Sequence, residues 1–157
     1  MTPPPHAATE ARTSIDCAAI DSDAERNAPM RGLNILLVDD DAMIGEVLAE
    51  MLTDLGHRIC AIAATEAEAV SGAMRCKPDL MIVDARLSGG SGVAAVERIL
   101  SVNPIPYLFM SGAGVEAGRP GAIVLSKPFR EADLVGAIQR ALVAFVGSES
   151  LCSPIRA

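Results

Sequence analysis

Five short apolar runs, each separated from the next by a longer stretch, leave this chain very few ways to fold. Residues 33–38 (LNILLV), 58–63, 80–83 (LMIV), 107–110 and 123–125 have strand length. Between the first two, residues 42–55 place Ile44, Val47, Leu48, Met51 and Leu55 at helical spacing, and Gly56 follows as a helix stop. Thr65, Glu66, Ala67 and Glu68 form a capping box that opens a second helix, with Ala67, Val70, Ala73 and Met74 on one face. Residues 93–100 predict a third helix with Val96, Ile99 and Leu100 inward. Residues 131–146 predict a last helix with Leu134, Ile138, Ala141, Leu142 and Phe145 inward. Short, continuously apolar strands alternating with amphipathic helices indicate a parallel sheet covered on both faces. The expected fold is therefore α/β: a flavodoxin-like, doubly wound sheet of five parallel strands in the order 2-1-3-4-5. Residues 112–121 (GAGVEAGRPG) carry four glycines and a proline, so the fourth helix is expected to be shortened or absent.

At 157 residues the chain suits one domain with ragged ends. Residues 1–31 hold three consecutive prolines, scattered acids and few large apolar side chains, the composition of a disordered extension. The domain is expected over residues 32–147, with a short tail over 148–157. Met30 directly precedes the first strand and leaves the start of translation open between Met1 and Met30. A net charge of −7, with only Lys77 and Lys127 as lysines, argues against a nucleic-acid partner. His6, His57, Cys17, Cys60, Cys76 and Cys152 form no CxxC or HxxxH pair, which argues against zinc and fits reduced cytosolic thiols. No apolar run reaches the ~18 residues of a membrane span, and the N-terminus lacks the features of a signal peptide. The expected setting is cytoplasmic, with no membrane partner.

Ligands of doubly wound sheets bind at the carboxyl ends of the strands. There the first strand ends in Asp39, Asp40 and Asp41, the third in Asp84, the fourth in Ser111 and the fifth in Lys127 and Pro128. Clustered carboxylates repel one another unless a cation neutralises them or some stay protonated. Oxygen ligands without His or Cys select a hard ion such as Mg²⁺. A carboxylate beside Mg²⁺, a lysine and a serine can accept a phosphoryl group. Each residue taken singly also has an ordinary reading. Asp41 suits the N-cap of the first helix, Asp84 and Ser111 suit turns, and Lys127 suits a solvated charge.

Taken together and in order, residues 33–146 resemble the receiver domain of two-component response regulators. The resemblance rests on ILLVDD (Asp39, Asp40), LMIVDARL (Asp84), a glycine eight residues on (Gly92), Ser111, and Lys127-Pro128 followed by Phe129. It implies that Asp84 takes a phosphoryl group from a sensor histidine kinase or a histidine phosphotransfer protein. It implies Mg²⁺ held by Asp40, Asp84 and the backbone carbonyl of Arg86, with Asp39 acting through water. Lys127 would contact the acyl phosphate, with a cis peptide before Pro128, and Ser111 would move toward the phosphoryl oxygen. The only chemistry implied is self-catalysed phosphotransfer and dephosphorylation, so the chain is not expected to be an enzyme. About ten residues follow the last helix, so a stand-alone domain is expected, signalling to an unknown downstream protein or acting as a phosphate sink.

Three positions depart from the family pattern. Val124 stands where a switch aromatic is usual, the 112–121 stretch is several residues short, and Ser88 replaces a common proline, which is expected to loosen its loop. The run Pro106, Tyr107, Leu108, Phe109, Met110, Ser111, Gly112 is similar to the Pro-Phe-x-Phe-Ala-Thr-Gly motif of a subgroup known from alphaproteobacterial stress signalling. Two other functions compete. One is a receiver-like interaction module that is never phosphorylated. The other is an aspartate-nucleophile phosphohydrolase, for which Asp39 and Asp41 have the Asp-x-Asp spacing.

Overall fold

A computed structural model describes residues 32–112 and 121–151. The chain runs β1 (Asn34–Val38), α1 (Ala42–Asp54), β2 (Arg58–Ala63), α2 (Glu66–Cys76) and β3 (Leu80–Asp84). It continues through β4 (Arg86–Leu87), β5 (Gly90–Ser91), α3 (Gly92–Leu100), β6 (Tyr107–Ser111), β7 (Val124–Ser126) and α4 (Glu131–Leu151). The main sheet has five strands in the order β2-β1-β3-β6-β7, all parallel. This is the expected flavodoxin-like topology, with β6 and β7 as the fourth and fifth strands. The two-residue strands β4 and β5 form a separate antiparallel hairpin between β3 and α3.

Side chains alternate across a strand, so each apolar run feeds two cores. Leu36, Val38, Met81, Val83 and Phe109 face one side, where they cluster with Ala69 and Ala73 of α2 and Ala95, Val96 and Ile99 of α3. The alternate residues Ile35, Leu37, Ile82, Leu108 and Met110 are equally buried, as are Leu48 and Leu52 of α1 and Leu134 and Ile138 of α4. Both faces are covered, which is why these strands show no polar alternation.

The helix starts follow local chemistry. Asp41 caps α1, accepting hydrogen bonds from the amides of Met43 (3.0 Å) and Ile44 (3.4 Å). Thr65 caps α2 through the Glu68 amide, and Glu68 reaches back to the amide of Ala64 rather than of Thr65. Ser91 caps α3 through the amide of Ala94. Gly56, at φ +95°, follows the Leu55 cap at the end of α1.

Two helix faces differ from the periodicity reading. In α2 the buried residues are Ala69, Gly72 and Ala73, whereas Ala67 and Met74 are exposed. Small residues win that face because α2 lies close on the sheet: a Cβ at Gly72 would sit 3.2 Å from Leu36 Cδ1. In α1 the buried residues are Gly45, Leu48 and Leu52, and Val47 is exposed. The expected fourth helix and the expected N-terminal tail fall largely on residues 1–31 and 113–120, outside the described residues. The last helix runs on to Leu151, past its expected end and into the expected 148–157 tail, of which 152–157 lie outside the described residues. Among the described residues no helix is long and apolar enough to cross a membrane. Cys60 and Cys76 are free thiols; Cys17 and Cys152 lie outside the described residues.

Candidate functional site

The three consecutive aspartates after β1 do three different jobs. Asp39 prolongs the β1–β2 ladder, its amide donating to the carbonyl of Ala63 at 2.9 Å, and its side chain turns inward, almost fully buried. Its Oδ1 accepts the amide of Asp41 at 2.8 Å, while its buried Oδ2 has no hydrogen-bond partner and lies 3.6 Å from the Lys127 ammonium. Asp40 turns outward across the strand ends, where its Oδ2 accepts both the amide (2.8 Å) and the hydroxyl of Ser88. Asp41 is committed to capping α1. The Asp-x-Asp spacing therefore does not deliver two carboxylates to one site.

Asp84 ends β3. Its Oδ1 accepts the amide of Arg86 at 3.0 Å, and its Oδ2 accepts the Lys127 ammonium at 3.0 Å. Carboxylate oxygens of Asp39, Asp40 and Asp84 lie within 4.8 Å of one another. Lys127 reaches this cluster from the end of β7, where its peptide bond to Pro128 is cis. Its amide donates to the carbonyl of Ser111 at 2.8 Å, which fixes the last two strand ends together. The buried hydroxyl of Ser111 donates to the carbonyl of Gly112 at 2.9 Å. Arg86 lies on β4 with its side chain exposed. All six sequence-predicted site residues thus stand along one rim of the sheet.

Gly92 explains how Asp84 is held so close to a helix start. A Cβ there would lie 1.9 Å from the Asp84 carbonyl oxygen and 2.8 Å from Val83 Cγ1, so α3 can begin against this strand end only with glycine.

The charges respond to this crowding. Burial is the main force pushing the Asp39 carboxyl above its ordinary range, aided by Asp84 and Asp40 and opposed by the Asp41 amide and Lys127. The Ser88 bonds hold Asp40 below the usual carboxylate range. Burial works against the Lys127 charge, but the bond to Asp84 and the attraction of Asp39 and Asp84 outweigh it and raise its pKa. Three carboxylates converging, with the Oδ2 of Asp39 buried and unbonded, are a donor set that fits a hard divalent cation.

Sequence reasoning missed two features. Ser88, read as loosening its loop, instead ties that loop to Asp40. The second apolar stripe of α1 is also new: Met43, Val47 and Met51, with Lys127, Pro128 and Phe129, line a groove of about 430 Å³ directly beside the site. Its signal was present in the sequence, since α1 carries more apolar residues than one buried face can use.

Residues 35–139 match the response regulator receiver domain family. The chain belongs to that family. This receiver domain is similar to the transcriptional regulatory protein PdtaR of Mycobacterium tuberculosis, at 35% identity over 130 residues, covering 79% of this chain and 62% of that protein. It is similar to the phyllosphere-induced regulator PhyR of Methylorubrum extorquens, at 32% identity over 114 residues, covering 69% of this chain and 43% of that protein. The chain therefore spans less than two thirds of both relatives. Among solved structures, the receiver domain of the Erythrobacter litoralis PhyR response regulator aligns with a TM-score of 0.65 at 30% identity, covering 82% of this chain and 98% of that one. The anti-anti-sigma factor PhyR of Bartonella quintana aligns with a TM-score of 0.67 at 28% identity, covering 82% of this chain and 54% of that one.

Proposed function

We propose that this chain acts in two-component signalling by accepting a phosphoryl group on Asp84 from a sensor histidine kinase or a histidine phosphotransfer protein. The observation that carries the reading is the convergence of Asp39, Asp40 and Asp84 around a buried, unbonded carboxylate oxygen with Lys127 alongside. Such a cluster is costly unless it has a cation or an incoming group to justify it.

In this reading a carboxylate oxygen of Asp84 attacks phosphorus. The P–O bond forms as the P–N bond of phosphohistidine breaks, and the imidazole leaves with its electron pair and takes up a proton. Lys127, already on Asp84, moves with the phosphoryl oxygens and offsets their charge. Ser111 would turn its hydroxyl from Gly112 to a phosphoryl oxygen, changing the surface beside β6 and β7. Asp40, Asp84 and the carbonyl of Arg86 would hold Mg²⁺, with Asp39 acting through water; the ion supplies charge neutralisation at the phosphoryl oxygens. The apolar groove beside Lys127 is the surface on which the donor protein would seat.

Readout is through protein contacts, or the domain serves as a phosphate sink. The domain in this reading spans residues 32–147.

Phosphotransfer profiling against the host's histidine kinases tests the proposal. The chain should take up one phosphoryl group per molecule in a Mg²⁺-dependent way, and Asp84→Asn should take up none. Label retained by Asp84→Asn would remove Asp84 as acceptor. No label from any kinase would favour an interaction module that is never phosphorylated, and repeated turnover of phosphate esters would favour a phosphohydrolase.

A further inference from the structure

The β4–β5 hairpin runs alongside the carboxylate cluster, and its backbone touches two of the three acids. The amide of Arg86 binds Asp84 Oδ1, and two residues on, the amide of Ser88 binds Asp40 Oδ2. Successive alternate amides of one extended segment thus hold carboxylates from β3 and from the β1–α1 loop, 44 positions apart in the chain. Only Ser88 adds a side-chain donor, its hydroxyl joining its amide on the same oxygen. Two donors on Oδ2 fix the carboxylate plane of Asp40 and leave Oδ1 without a bond to this hairpin.

We infer that Ser88 is a positioning residue for metal binding, holding Asp40 oriented so that its carboxylate receives a divalent cation with little rearrangement. The inference rests on Asp40 being a metal ligand, as proposed above. The physical reason is general: a ligating carboxylate that is already hydrogen-bonded loses less orientational freedom on binding, and removing such outer partners typically weakens metal sites by about 10–100-fold.

The turn itself supplies a graded test. Ser88 and Gly89 link Leu87 to Gly90, Gly89 has φ +78°, and Ser88 has a negative φ. That is the pattern of a type II turn, whose second position accepts proline. Proline at 88 would keep the turn but remove both donors, alanine would remove only the hydroxyl, and threonine would keep both.

Mg²⁺ binding to the full chain, measured by titration calorimetry, should weaken about 10-fold in Ser88→Ala and further in Ser88→Pro, and stay within about 2-fold of wild type in Ser88→Thr. Urea unfolding of each variant in the absence of Mg²⁺ separates a lost orientation from a lost fold. Should Ser88→Pro fail to fold, the alanine and threonine pair decides the matter alone. Wild-type affinity in Ser88→Ala would overturn the inference while leaving the Asp84 reading intact. A wild-type chain that binds no Mg²⁺ would overturn both.

Discussion

Gly92 is the residue whose identity is most narrowly dictated. A methyl group there would overlap the carbonyl oxygen of Asp84, a backbone atom of the strand that ends in the site. Gly92→Ala must shift either α3 or the end of β3. We expect a loss of about 3 kcal/mol in urea unfolding, at the upper end of overpacking costs, together with weakened Mg²⁺ binding. A stable variant with unchanged binding would show that the helix start is looser than its contacts indicate. His57 offers a second check at the same scale. It is buried, its Nδ1 accepts the amide of Leu33 at 3.1 Å, and burial lowers its pKa. The unfolded chain then binds a proton more readily than the folded one. Stability from this residue is complete above about pH 6.5 and declines as the pH falls through the interval below. Unfolding midpoints of His57→Gln between pH 7.5 and 5 should fall less steeply than those of wild type; parallel curves would place the acid sensitivity elsewhere.

Among the elements, the five strands of the main sheet were legible to within a residue because they are short, continuously apolar runs, whereas the two-residue strands β4 and β5 carry no such run and were not. Helix faces were less legible. Spacing alone put Met74 of α2 and Val47 of α1 in the core, but the close approach of each helix favours Gly72 and Gly45, which periodicity does not count. The site residues were legible because each stands where a strand ends. Ser88 was not, since its partner Asp40 lies 48 positions away and nothing local links them. The misread stripe of α1 has a consequence. Met43 and Val47 are 75% and 56% exposed, so changing them removes little core packing. If the phosphoryl donor seats on this groove, Met43→Asp with Val47→Asp should slow transfer from the kinase at least about 10-fold, as loss of a contact cluster worth ~1.4 kcal/mol or more would. Phosphorylation by a small acyl phosphate, which needs no docking surface, should proceed at the wild-type rate. Equal slowing with both donors would mean that the substitutions had reached the site itself.

For the whole molecule, the parallel sheet gathers the acids of separate loops onto one rim of a chain already carrying a net charge of −7. Among the described residues Lys127 is the cation paired with them, 3.0 Å from Asp84 and 3.6 Å from Asp39. In its ion-free state the fold therefore holds repulsion among Asp39, Asp40 and Asp84, added to the larger cost of burying the Asp39 charge. A divalent ion bound only by the folded chain would relieve that repulsion and stabilise by mass action. At a concentration one hundred times its dissociation constant the gain is about 2.7 kcal/mol. Thermal unfolding should therefore move upward on adding MgCl₂, and return on chelation. The same ionic strength supplied as NaCl should produce a smaller shift, because screening weakens exposed charges more than buried ones. Asp40→Asn should gain less from Mg²⁺ than wild type, because it removes a carboxylate of the proposed site. Lys127→Ala should start lower and gain more, because the ion then replaces the missing cation. If all three proteins shift in parallel with salt of either kind, the stabilisation belongs to the surface as a whole, and the rim would not be a site built to hold a cation.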